Sequence, residues 1–316
     1  GAAAGGQDGA DAVGAAIELA ASWISRARAL LVGSGAGMSV DSGLGTYRGC
    51  NAGVWPPLEA LGLDYSEVCT PELLTERPRL AWAFWRYSCE AYRAAAPHEG
   101  YHIVQRWGQR ARHGCFAYTT NVDALWPRAL APERVYEAHG SAAFLQHGLS
   151  PLGGGEGPPA PCPHRAEVWP CPPDLAERMP LEPGREDAVE EASLPRCHAC
   201  GAVARPNVLM FGEIGTWRRD RAREQKERYR SWLKAAQEVG PTDATPLVCL
   251  EIGAGRAIPT VRSTLEAAAA ASGGRLVRVN LEDSEPPPAL EAAGRAVGIP
   301  LGALEALRRI DALVAG

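Results

Sequence analysis

Gly33-Ser34-Gly35-Ala36-Gly37-Met38-Ser39 follows the apolar run Ala29-Leu30-Leu31-Val32 and leads into Val40-Asp41-Ser42-Gly43. An apolar run of this length ending in alternate glycines reads as a buried strand entering a tight turn, where missing side chains let backbone N–H groups approach a phosphate. As a G-x-G-x-x-G fingerprint the stretch is imperfect. The third glycine would fall at Met38, and no acidic residue stands at the expected distance of about twenty residues. Taken alone, the stretch is equally a glycine-rich turn. What surrounds it decides between the two.

On its N-terminal side, Val13, Ile17, Leu19, Ala20, Trp23 and Ile24 recur at helical spacing, so residues 10 to 28 are expected to form a helix packed on the strand. On its C-terminal side, from Arg48 to about Gly100, the chain is rich in Trp and Tyr and interrupted by prolines, which reads as a helical module with Arg79 to Ala95 as its longest helix. Its aromatics suit a core better than a ligand platform. Helix 102–112 and strand Cys115-Phe116-Ala117-Tyr118-Thr119 come next, then a second short strand, Val135-Tyr136-Glu137-Ala138. Thr120-Asn121-Val122-Asp123 and His139-Gly140-Ser141 follow these strands at their carboxyl ends, where open α/β sheets place ligands.

Between Ser150 and Pro195 the composition turns to proline, glycine and charge, the mark of an insertion or small domain. Val208 to Glu213 is expected as a strand and turn, and residues 217 to 239 as a charged helix with a solvated face. Leu247 to Ile252 is apolar except for Glu251 and ends in Gly253-Ala254-Gly255. A helix is expected after Pro259, a strand over Leu276 to Val279 ending at Asn280, and a closing helix over Gly302 to Val314. Strand–helix alternation at both ends with an irregular middle predicts a Rossmann-like, doubly wound parallel sheet. A smaller domain would be built from the two interrupting segments.

With 316 residues, the chain has room for a large α/β domain and a smaller one. No apolar run reaches the length needed to cross a bilayer, so no membrane partner is expected. A net charge of −5 argues against nucleic acid bound along a broad surface. Nine cysteines without a secretory pattern speak against a disulfide framework and for a reducing, cytoplasmic setting. Gly1 to Gly9 read as a disordered tail.

Gly35-Ala36-Gly37-Met38-Ser39, Ser42-Gly43-Leu44-Gly45-Thr46-Tyr47-Arg48-Gly49, Thr119-Thr120-Asn121-Val122-Asp123, His139-Gly140-Ser141, the Cys197/Cys200 pair and Phe211-Gly212-Glu213 occur in one order. Together they resemble the sirtuin (Sir2) family of NAD-dependent protein deacylases, in its bacterial-type branch, from about residue 25 to 282. The resemblance implies that Gly35, Ala36, Gly37 and Ser39 meet the phosphates and ribose of NAD, and that Tyr47 and Arg48 belong to a cofactor loop. It further implies that Asn121 and Asp123 line the nicotinamide pocket and that Gly253, Ala254 and Asn280 hold the adenosine half. His139 would be the general base, a role that suits an imidazole. Phe211, Gly212 and Glu213 would pair with an acylated protein or peptide as an added strand.

Cys197-x-x-Cys200 has the spacing of half a tetrahedral zinc site. The resemblance implies a second Cys-x-x-Cys, which is absent. Cys162 and Cys171, separated by eight residues, are the preferred completion, with His147 replacing one of them as the close alternative and His164 a further substitute. A metal-free module stays open beside these. If bound, the zinc would be structural.

The implied organisation is a tail over 1–9, a Rossmann-like NAD-binding domain over 10–47, 101–146 and 208–316, a helical module over 48–100 and a zinc-ribbon-like module over 147–207. Thr46, Tyr47, Thr120 and Trp126 depart from the residues common in the family, and Arg256 reads as a surface arginine. The departures at 46, 120 and 126 keep NAD glycohydrolase or ADP-ribosyltransferase chemistry open; deacylation of an acylated small molecule and a non-catalytic NAD sensor stand as further alternatives.

Overall fold

The computed structural model describes residues 4–46, 55–148, 162–213, 215–237 and 247–314, with the side chains of 4–10, 164 and 165 excepted. Among the described residues, nine strands occur in chain order: β1 (Ala29–Ser34), β2 (Cys115–Thr119), β3 (Val135–Glu137), β4 (Gly140–His147), β5 (Val168–Pro170), β6 (Ala204–Val208), β7 (Leu247–Ile252), β8 (Arg275–Val279) and β9 (Ala296–Ile299). Six of them form one parallel sheet in the order β3-β2-β1-β7-β8-β9. This is a doubly wound order that reverses between β1 and β7, and such a reversal opens a crevice beyond the strand ends.

The apolar runs become central strands because both sheet faces are covered. Every residue of β1 and β7 is buried. Leu30 and Val32 pack in one core with Ile17, Trp23, Ile103, Trp107 and Leu307. The alternate residues Ala29 and Leu31 pack in another with Tyr229, Trp232, Val261 and Leu265. Glu251 is tolerated in β7 because Arg278 sits opposite it on β8 and donates to both its oxygens, at 2.7 and 2.9 Å.

A second, antiparallel sheet runs β5-β4-β6. Its core joins Leu145, Leu175, Met179 and Val203 to Trp55, Leu58, Trp82, Phe84 and Trp85 of the aromatic-rich segment, whose long helix is Pro78–Ala94. The Trp82 indole donates to the Ala204 carbonyl at 3.0 Å and ties that helix to β6. The two interrupting segments therefore share one core.

Several boundaries differ from expectation. The first helix spans Ala4–Ser25, so it begins inside the expected tail. Of the strand and turn expected over 208–213, the strand lies earlier, at Ala204–Val208, because pairing with β4 ends at Gly140 opposite Val208, and Phe211 and Gly212 form the turn. Strand β4, directly after His139, and strand β9 were not anticipated. Among the described residues, no helix is long and apolar enough to cross a membrane.

Candidate active site

The turn after β1 is built by glycines that admit a second strand end. The Gly35 N–H donates to the Ile252 carbonyl and the Gly37 N–H to the Gly253 carbonyl, both at 3.1 Å. A Cβ on Gly37 would lie 2.6 Å from the Gly253 Cα, and one on Gly253, whose φ is +60°, would lie 2.5 Å from the Gly37 backbone. The glycines thus bring the β1 and β7 turns together at the switch point. A 3-10 helix, Ala36–Ser42, begins there in place of an α-helix.

Beyond these turns opens a cleft of about 670 Å³ lined by Gly35, Ala36, Gly37, Thr120, Gly253, Ala254 and Asn280 among others, a volume in the range of small-molecule sites. The Asn280 side chain donates to the Ala254 carbonyl at 3.0 Å and fixes the second turn. A smaller pocket of about 60 Å³ adjoins it, sharing Ala36, Thr46 and Tyr65. That pocket is lined on one side by Ser39, Asn121 and Asp123 and on the other by Trp55, Phe84, Tyr87 and Tyr92.

The polar end of this pocket is a buried network. Asn121 Nδ2 donates to the Gly35 carbonyl at 2.9 Å and to Ser39 Oγ at 3.0 Å, and Ser39 Oγ donates to Asp123 Oδ2 at 2.6 Å. Asp123 Oδ1 accepts the Leu125 N–H at 3.0 Å. Both amide hydrogens of Asn121 are consumed within the chain, yet its Oδ1 is buried without a partner. A ligand N–H is the natural complement. Burial pushes the Asp123 carboxyl up, with the Ser39 and Leu125 hydrogen bonds opposing the shift. Ala124, next in the chain, has φ of +59°, the one positive value among the described non-glycine residues. Strain of this kind collects at ligand sites.

Sequence reasoning missed what supports this network. The Trp126 indole donates to Ser34 Oγ at 2.8 Å, and Ser34 Oγ donates to Thr119 Oγ1 at 2.9 Å. The Tyr101 ring meets Trp126 edge-on with centroids 4.7 Å apart, and its hydroxyl lies 3.2 Å from Ser39 Oγ. Trp126 therefore props the network from below. The spacing His98-x-x-Tyr101 at a helix start was the available signal, since His98 caps that helix by accepting the Gly100 N–H.

His139 follows β3 and is half-buried, and burial lowers its imidazole to about 4, so the ring is neutral near pH 7. It is not among the residues lining either pocket. Phe211 lines the larger cleft, but its N–H already donates to the Cys69 carbonyl at 3.0 Å. The Glu213 carboxylate is buried against Arg205 at 2.7 Å and is thus a structural partner, unavailable to a ligand. Arg256 is exposed and pairs with Asp283 and Glu285. Tyr47 and Arg48 lie outside the described residues.

A separate cluster joins His147, Cys162, Cys197 and Cys200, whose ligand atoms all lie within 4.8 Å of one another. Tetrahedral bonds of about 2.3 Å give sulfur–sulfur edges of about 3.8 Å. The Cys162–Cys197 separation of 3.6 Å and the His147 Nε2–Cys200 separation of 3.2 Å are compatible with such edges. Cys171 is not in this group, which corrects the preferred set. Strand β5 pairs antiparallel with β4, Val168 opposite Gln146, and the Cys171 N–H donates to the Ala143 carbonyl. Cys171 is therefore four residues along β4 from His147, about 13 Å away at strand rise.

Comparison with known proteins accords with this arrangement. The Sir2 family profile matches residues 35–147. "NAD-dependent protein deacylase 2" of Pseudomonas aeruginosa is 30% identical over 199 residues, covering 63% of this chain and 66% of that protein. "NAD-dependent protein deacylase sirtuin-5, mitochondrial" of Danio rerio is 31% identical over 195 residues, 60% of this chain and 58% of that protein. The match thus spans less than two thirds of the length of these relatives. A Sir2 homologue solved as its NAD complex superposes with a TM-score of 0.62 at 19% identity, covering 94% of this chain and 93% of that one. Sir2Tm bound to a propionylated peptide superposes at 0.57 and 18% identity, covering 92% and 94%. Such distant structures speak for the fold, while the similarity to the Sir2 family profile runs through the glycine turn, the Asn121–Asp123 segment and His139.

Proposed function

We propose that the chain is an NAD-dependent deacylase that removes acetyl or related acyl groups from lysine side chains of proteins or peptides, giving nicotinamide and O-acyl-ADP-ribose. The observation that carries the reading is the orphaned Asn121 Oδ1, a buried acceptor held by two internal donations beside the glycine turn. A carboxamide N–H would satisfy it. When bound, NAD would supply a ribose carbon whose bond to nicotinamide breaks as the acyl oxygen takes its place.

The chain's own part follows from its residues. Gly35, Ala36, Gly37 and Ser39 would hold the diphosphate and ribose, and Gly253, Ala254 and Asn280 the adenosine half, from the larger cleft. Tyr47 and Arg48 would complete the cofactor loop. Asn121 would accept the amide hydrogen, and Asp123 would fix Ser39 and, through it, Asn121. The neutral ring of His139 offers a nitrogen that can take a proton from a hydroxyl. His147, Cys162, Cys197 and Cys200 would hold a structural zinc that stabilises the smaller domain. That domain would comprise the two segments sharing one core, and the parallel sheet would be the NAD-binding domain. A thiol cluster of this kind suits a reducing cytoplasm.

One observation favours a small acylated molecule as the acceptor. The Phe211 and Glu213 N–H groups are already used within the chain, which leaves less edge for strand addition by a peptide. Incubation with NAD and a panel of acyl-lysine peptides should release nicotinamide and O-acyl-ADP-ribose together. No acyl transfer across the panel rejects protein deacylation, and free ADP-ribose formed without acceptor marks an NAD glycohydrolase.

A further inference from the structure

Displaced from the metal cluster, Cys171 has its own environment. It follows β5 and meets the helix Pro78–Ala94, where the Arg93 guanidinium donates to its sulfur at 3.1 Å and to its carbonyl at 3.3 Å. A third donation, to the Pro173 carbonyl at 3.1 Å, locks Arg93 onto this loop. Cys89, one turn earlier on the same helix, donates to the Ala142 carbonyl at 3.7 Å, and the Cys171 N–H donates to the next carbonyl of that strand, Ala143, at 2.8 Å, so the two thiols are neighbours. Both cysteines are free and buried, and neither belongs to the metal group or lines the candidate site.

Two neighbouring thiols beside a fixed guanidinium are chemically unequal. Hydrogen bonding from Cys89, followed by the opposing effect of burial and the charge of Arg93, brings the Cys171 thiol down to about 7, whereas Cys89 is held well above the usual thiol range. One sulfur is a nucleophile and its neighbour a protonated thiol. A thiolate with a second thiol beside it has the chemistry of an oxidisable cysteine and a resolving partner.

We propose that Cys171 is a modification site for hydroperoxides and that Cys89 resolves it as a disulfide. The Cys171 thiolate attacks the terminal peroxide oxygen. The O–O bond breaks, sulfur is oxidised to sulfenic acid, and the departing alkoxide or hydroxide takes a proton to leave as alcohol or water. The Cys89 sulfur then attacks the sulfenic sulfur, the S–OH bond breaks, and the hydroxide leaves as water with the Cys89 proton. The product joins the helix that carries Tyr87, Ser88, Ala91 and Tyr92 of the small pocket to the loop after β5. This inference does not depend on the proposed deacylase activity.

The test is peptide mapping of the full, zinc-loaded chain after graded hydrogen peroxide, with free thiols blocked and digestion under non-reducing conditions. A Cys89–Cys171 linked peptide formed before any oxidation of Cys162, Cys197 or Cys200 is expected. Trapping with dimedone in Cys89→Ser, which keeps a donor beside Cys171 but cannot form the disulfide, should label Cys171 as its sulfenic acid. At pH 7.5, Arg93→Met should slow alkylation of Cys171 by about tenfold, as loss of a neighbouring cation raises a thiol. A wild-type map in which Cys171 stays reduced while other cysteines oxidise overturns the proposal, and so does an unlabelled Cys171 in Cys89→Ser.

Discussion

Ser39 Oγ donates to Asp123 Oδ2 at 2.6 Å while accepting from Asn121 Nδ2 at 3.0 Å, so one buried hydroxyl orients both polar residues of the pocket. Neither neighbour has a spare partner for that role. Ser39→Ala removes the donor to a buried carboxylate and the acceptor for an amide, each an unsatisfied group costing about 1–3 kcal/mol. The variant should melt several degrees lower and bind ADP-ribose at least tenfold more weakly, measured by calorimetry. Unchanged binding would remove Ser39 from the site.

Asn121→Asp tests the orphaned acceptor from the other side. The substitution keeps size but replaces two donors with a carboxylate facing the Gly35 carbonyl and placed next to buried Asp123. Nicotinamide release should fall by about a hundredfold, in the range lost with a transition-state hydrogen bond. Circular dichroism should report a retained fold.

The glycine turn makes a prediction about stability as well as binding. Gly37→Ala would place a methyl 2.6 Å from the Gly253 Cα, backbone against backbone, so the two turns must separate. A loss of about 2–3 kcal/mol in urea unfolding is expected, the range of overpacking. Gly43→Ala is the control of opposite kind, since it meets no atom within 4 Å and suffers only from its φ of +85°. It should cost about 1 kcal/mol and leave ligand binding intact.

Much of this was legible in the residues, and the boundary of what was legible is physical. The strands β1, β2 and β7 announce themselves because both faces are buried, which writes continuous apolar runs. Glycine spacing and the Asn121–Asp123 segment mark the switch point for the same reason: local chemistry is encoded locally. The metal set is different. Choosing between Cys171 and His147 requires knowing that β4 runs antiparallel to both β5 and β6, which sets His147 opposite Ala204 and next to Cys200. Register of that kind is not carried by cysteine spacing. The buried pairing of the Glu213 carboxylate with Arg205 is likewise revealed only by the fold.

That register carries a metal prediction. The purified chain should contain about one zinc, and His147→Ala or Cys200→Ser should lose it, whereas Cys171→Ser should keep it. Chelation should destabilise the smaller core, including Leu145, Val203 and the Pro78–Ala94 helix, more than the parallel sheet. Metal analysis alongside hydrogen exchange separates the two. Retention of zinc by His147→Ala with loss in Cys171→Ser would reverse the assignment.

The burial of His139 sets the pH behaviour. Its imidazole is lowered to about 4 by desolvation, from an ordinary value near 6.5, so the folded protein resists protonation that the unfolded chain accepts. Stability is unaffected above about pH 7 and declines as pH falls through 6.5, the loss from this residue reaching about 3 kcal/mol near pH 4. His139→Ala should flatten that part of the decline in urea unfolding. If His139 is the base, the acidic limb of kcat/KM should lie well below pH 6 and not at the ordinary histidine value, because the free protein keeps a neutral ring there. The same variant should lose turnover by about a thousandfold or more while still binding ADP-ribose. A limb at 6.5 would mean that the ring is hydrated in solution, and retained turnover would remove His139 from proton transfer altogether.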